Sequence, residues 1–146
     1  MAGSSPQARG LRALSVLLGV FFLFEGLAKI GWLTDPSPLT GRLTGYLENA
    51  NAWNRVYLER VCIPGAPVFA RLVLFGELAT GLALISGVWT RYAAAVALLM
   101  VLNIHFASGL IFQYSFLTNG YGLPVIGGLL ALALGAVALP ASAKRK

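Results

Sequence analysis

Glu25 and Lys29 stand four residues apart inside an otherwise apolar run, FFLFEGLAKIGW at residues 21–32. An acid followed one turn later by a base shares its helix face, in the favourable order for pairing. Two more ionisable groups interrupt the next apolar run, RLVLFGELATGLALISGVWTR, where Arg71 opens the run and Glu77 lies within it. Glu77 has no cation one turn away, since Arg71 lies six residues back, about 120° around a helix. Its partner is on another helix (Lys29, His105 or a bound ligand), or the carboxyl carries a proton. A third run, VLNIHFASG, adds Asn103 and the single histidine, His105. Two residues apart, these point about 200° apart on a helix and cannot both face one cavity. Groups of these kinds suit hydrogen bonding to a small polar or redox-active molecule. They equally suit a charge-balanced network of Glu25, Lys29, Glu77 and Arg71 that locks helices together. No metal site is expected, because one histidine and one cysteine offer no paired ligands. One His and two Met also fall short of the usual axial pair for a membrane haem.

The segments carrying these groups are too oily for a water-soluble protein of this size. Of 146 residues, 58% are hydrophobic and only 11% charged, against about 25% charged in ordinary soluble domains. Mean hydropathy is +0.76. A small domain buries a limited fraction of its surface, so the composition implies an integral membrane protein. A hydrocarbon layer about 30 Å thick needs about 20 helical residues, and four stretches qualify: 11–33, 68–88, 92–112 and 121–139. The expected fold is all-α, a four-helix transmembrane bundle forming a single domain over residues 1–146. The first stretch runs on through Glu25 and Lys29 without a small-residue cleavage site, so it reads as a span rather than a signal peptide. Two files of small residues, Ala79, Ala83, Gly87 and Gly127, Ala131, Gly135, are expected where helices touch.

Between the first two spans, residues 34–67 are too polar to cross, and the prolines of DPSP and IPGAP punctuate their ends. Leu39, Leu43, Leu47, Ala50, Trp53, Tyr57 and Val61 recur at three- to four-residue spacing, an apolar stripe on one helix of about 20 residues. This amphipathic external helix either lies on the outer membrane surface, with Trp53 and Tyr57 among headgroups, or caps the bundle. Arg9, Arg12, Arg91, Lys144, Arg145 and Lys146 fall on one side of the four spans. Arg42, Arg55 and Arg60 fall on the other, offset by Asp35, Glu48 and Glu59, so both termini are expected in the cytoplasm. Trp89, Tyr92, Tyr114 and Tyr121 near the span ends read as interfacial anchors. The net charge of +6 is scattered around the spans rather than gathered on one face, so no nucleic-acid partner is expected. On this topology Glu25 lies about 12 Å, Glu77 about 13 Å, His105 about 10 Å and Asn103 about 13 Å from the outer ends of their spans. Three helices thus bring polar groups to one level, with Lys29 and Arg71 nearer the surface. Cys62 reads as a small buried side chain.

The segments FFLFEGLAKIGW and IPGAPVFARLVLFGELATGLALISGVWTRYAAAVALLMVL together resemble the DoxX family of small four-helix bacterial membrane proteins, including its DoxD branch. Gly26 and Lys29 near the end of the first span carry the likeness, with Pro67 before the second, then Gly76, Glu77, Gly81, Gly87, Thr90 and Arg91. The likeness covers residues 11 to 112, and the fourth span adds little. It implies a bacterial cytoplasmic membrane and a redox setting. DoxD-like members are the small membrane subunit of a thiosulfate:quinone oxidoreductase. DoxX-like members are membrane partners in complexes linking a superoxide dismutase and a sulfurtransferase to thiol homeostasis. The chain itself has no flavin, haem or iron–sulfur motif, so a partner redox chain is implied. A quinone is compatible with the bundle, its carbonyls meeting donors such as Lys29 or His105. Whether the chain is an enzyme subunit or a structural or assembly protein stays open, as does homo-oligomerisation. A third alternative is a small proton-coupled transporter, since four-helix multidrug exporters also carry a glutamate in the first span, though with short loops.

Overall fold

A computed structural model describes residues 6–135, and within them every regular element is helical. The chain runs α1 (Pro6–Ala28), α2 (Ser37–Tyr46), α3 (Ala52–Tyr57), α4 (Ala66–Ser86), α5 (Thr90–Ala107), α6 (Ser115–Thr118) and α7 (Leu123–Gly135). Three of these, α1, α4 and α5, are long and apolar enough to cross a membrane. The described part of α7 is shorter, and residues 136–139 of the expected fourth span lie outside the described residues, as do Lys144, Arg145 and Lys146. Large apolar side chains stand outward along all three long helices, among them Leu17, Phe24, Leu72, Leu82 and Leu99. In a lipid layer such faces are solvated by acyl chains.

Each helix stops where local chemistry ends it, and the stops differ from those expected. The first helix begins and ends about a turn early, because the chain tightens into a 3-10 turn at Ile30–Leu33 that tucks Trp32 inside. Gly87, at φ +80°, ends α4 and returns its N–H to the Ala83 carbonyl. A left-handed glycine after the last turn satisfies carbonyls that the helix leaves free. Gly109, at φ +71°, ends α5 before residue 112, pressed so close to Asn54 that a Cβ would lie 2.9 Å from its Nδ2.

The long connecting helix expected between the first two spans is instead two helices. Ala50 is extended (ψ 131°), and the Asn51 side chain accepts the N–H groups of Trp53 and Asn54, starting α3 afresh. An asparagine in that position caps a helix start and competes with continuation through it. At the other end of the segment, the Asp35 carboxylate accepts from the backbone and hydroxyl of Ser37 and opens α2, which holds this carboxyl below its usual range. The apolar stripe is divided accordingly. Of its members Leu43 is buried, in a cluster with Leu58, Cys62, Ala66 and Ala107, whereas Trp53 and Val61 are exposed. The segment therefore caps one end of the long helices.

The long helices meet through glycines, though not the files expected. α1 lies tightest on α4, where a Cβ on Gly81 would fall 2.7 Å from the Leu23 nitrogen and 2.9 Å from the Gly19 oxygen. Ala79, Gly87, Gly127 and Ala131 are exposed instead. Near the chain ends Leu18, Phe22, Leu84, Ala97, Leu129 and Leu132 form the apolar core that α5 and α7 share with α1 and α4. Arg12 donates to the carbonyls of Leu84 and Ile85, and Ser15 to that of Leu84, so the free C-terminal carbonyls of α4 are satisfied from α1.

Candidate functional site

The close contact of Gly19 with Gly81 fixes how α1 and α4 face one another, and a turn or two further on it brings three charges together. Lys29 Nζ lies 2.8 Å from Glu25 Oε2 and 3.0 Å from the Glu25 carbonyl oxygen on its own helix. On α4 it lies 3.0 Å from Glu77 Oε1 and 2.9 Å from Oε2. Only Oε1 is in hydrogen-bonding geometry, so Oε2 is balanced by charge without receiving a hydrogen bond. An ammonium has three protons, and all three are engaged by this set. Lys29 and Glu77 are buried, while the Glu25 side chain stays 36% exposed, which leaves its second oxygen open.

That exposure is to a cavity of about 640 Å³ between the long helices and the connecting segment. Its floor is Glu25, Lys29, Glu77 and His105; its walls include Phe21, Phe22, Val101, Tyr121 and Val125; Arg42, Tyr46 and Asn49 enter from the connecting segment. The size falls within the range of about 300–1,000 Å³ typical of small-molecule sites. His105 is buried, its ring edge-on to Phe116 at 5.4 Å, and its Nδ1 lies 2.7 Å from the Val101 carbonyl. A carbonyl oxygen only accepts, so Nδ1 carries the proton, in the tautomer that leaves Nε2 as an acceptor.

Of the six residues singled out from sequence, the structure brings four together: Glu25, Lys29, Glu77 and His105. Asn103 points away from His105 and donates to the Tyr57 hydroxyl at 2.6 Å, fastening the connecting segment to α5. It lines a smaller cavity of about 100 Å³ beside Cys62, which adjoins the large one and shares Lys29, Arg42 and Tyr46 with it. Arg71 is exposed and does not join the charged set. It donates to the carbonyls of Pro67 and Leu33, tying the 3-10 turn to α4. Arg42 was missed as the second cation. Its guanidinium lies 5.6 Å from the Trp32 ring, which Lys29 also approaches at 5.8 Å. Arg42 and Tyr46 are four residues apart beside the buried Leu43, a shared helix face that could have pointed to both. Tyr121, expected as an interfacial anchor, packs on Phe21 at 5.5 Å and lines the large cavity. Around the small cavity, burial pushes the Cys62 thiol above its usual range and does the same to the Tyr57 hydroxyl nearby.

Among the described residues no three His, Cys, Asp or Glu side chains gather as a metal-holding group. A family model described as DoxX matches residues 10–109. No curated protein and no solved structure gives a significant match.

Proposed function

Because the chain belongs to the DoxX family, and so to a family of membrane proteins, we propose that it is the membrane subunit of a sulfur- or quinone-linked redox complex. In this reading the cavity around Glu25, Lys29 and Glu77 holds a small polar or redox-active molecule, and electrons are handled by a partner chain. One observation carries it: three ionisable groups on two apolar helices converge beside an open cavity rather than in a closed interface. Ionisable groups in hydrocarbon cost at least about 2.5–3.5 kcal/mol each on insertion scales, and a purely mechanical lock needs no space beside it. In the membrane, this reading takes α7 as part of a fourth span, with the connecting segment capping the long helices on the outer side. The distribution of cations in the sequence supports both termini lying in the cytoplasm of a bacterial cell.

Purification in mild detergent, followed by mass spectrometry of what accompanies the chain, tests this directly. A copurifying redox protein or a bound small molecule is the expected result. Recovery of this chain alone removes the redox part of the reading.

One feature favours a second, assembly role. The bonds from Lys29 to both glutamates tie α1 to α4 across the bundle, so the same side chains that line the cavity also hold its walls. Loss of fold on breaking the set, with no ligand ever recovered, is the outcome that would prefer this role.

A further inference from the structure

The donors and acceptors around the large cavity are unevenly placed. The two donors on the cavity floor are already committed: Lys29 to Glu25 and Glu77, and His105 Nδ1 to the Val101 carbonyl. A quinone carbonyl therefore finds no donor from either. What the floor offers is acceptors, namely the open Glu25 carboxylate and His105 Nε2, both lining the cavity. Donors sit higher up: Arg42, whose guanidinium lies over Trp32, enters from α2 on the connecting segment, and Tyr46, Asn49 and Tyr121 line the walls. The walls between are largely aromatic, with Phe21 and Tyr121 meeting at 5.5 Å and Phe22 and Tyr46 beside them.

Resting on the reading of this cavity as a ligand site, we propose that it takes the protic form of a flat, apolar small molecule. A hydroxyl of the phenol class donates to His105 Nε2 beside the Glu25 carboxylate, and the ring lies against the aromatic wall of Phe21, Phe22 and Tyr121. A buried acceptor left without a donor is costly, whereas one matched by a hydroxyl contributes affinity. At its floor the site thus favours a hydroxyl over an ether or carbonyl oxygen.

The test is a matched pair, 4-propylphenol and its methyl ether 4-propylanisole, which share the ring and chain and differ in the hydroxyl proton. Binding to the full chain in nanodiscs is measured by calorimetry and corrected for partition into empty nanodiscs. The phenol is expected to bind about tenfold more tightly, the worth of one good hydrogen bond. His105→Phe keeps a ring against Phe116 and should remove about tenfold of the phenol's affinity while leaving the ether unchanged. Equal affinity for the pair, or preference for the ether, overturns this proposal while leaving the cavity a ligand site. Phenol binding untouched by His105→Phe overturns the assignment to His105. Binding of neither probe overturns the ligand-site reading as well.

Discussion

The two ends of the same bundle are built on opposite principles. Toward the chain termini, Leu18, Leu84, Ala97, Leu129 and Leu132 fill the space between α1, α4, α5 and α7, and the polar groups there, Arg12 and Ser15, serve the last carbonyls of α4. Toward the connecting segment, apolar filling gives way to one lysine shared by two glutamates, with a cavity of about 640 Å³ alongside. The difference teaches where a small membrane protein can spare cohesion. The packed end holds the helices in register, and the charged end exchanges packing for an ion set that is stable only while complete. Removing one partner of a buried ion set leaves an uncompensated charge, whereas removing the whole set is often nearly neutral.

That contrast can be broken most sharply at Lys29. Lys29→Met strands two carboxylates and should cost about 3–5 kcal/mol, read as an early loss of fold on thermal scanning in detergent. The triple change Glu25→Gln, Lys29→Met, Glu77→Gln should recover most of it. If the single variant melts with the wild type, the ammonium is not what joins α1 to α4 there. At the packed end, Leu129→Ala should cost about 2–5 kcal/mol through the void it leaves. Ile104→Ala, truncating a half-open side chain on the cavity wall, should stay within about 1 kcal/mol. Equal costs at the two positions would mean that the ends are packed alike. Gly81→Ala, with no room for its methyl, should cost about 1–3 kcal/mol. Gly127→Ala meets nothing within 4 Å and should stay within about 0.5 kcal/mol. A matched pair of melting curves for these glycine variants would contradict the Gly19–Gly81 contact.

The smallest effect concerns the rim. Burial raises the Cys62 thiol, so its contribution to stability is present below the unfolded thiol's pKa and is lost as pH rises through the folded value. Alkylation of the native protein should be slow at neutral pH, quicken well above the ordinary thiol range, and become fast once the chain is unfolded. Rapid labelling of native protein near neutrality would place Cys62 at the surface instead.

Much of this was legible in one dimension. Apolar length and helical period mark out α1, α4 and α5 because a helix satisfies its own backbone, which is what hydrocarbon demands of any spanning segment. Glu25 and Lys29 announce their pairing because one turn of helix separates them, and Asn103 and His105 announce their divergence for the same reason. The 120° offset of Arg71 from Glu77 excluded a pair within one helix, but not that Arg71 would leave the charged network for the carbonyls of Pro67 and Leu33. Helix ends were less legible, since a left-handed glycine at residue 109 and a capping asparagine at residue 51 override an apolar pattern that continues past them.

The sequence by itself determined that this chain is helical, lipid-solvated and forced to deal with charges inside apolar helices, for these follow from local composition and periodicity. Only the tertiary structure decided which charges meet. Lys29 reaches Glu77 because Gly19 and Gly81 let two backbones touch and so fix the rotation of α1 on α4. Arg42 reaches the cavity because the chain breaks at Ala50 and lays α2 across its mouth. Both depend on distances between residues far apart in sequence, which no helical period encodes.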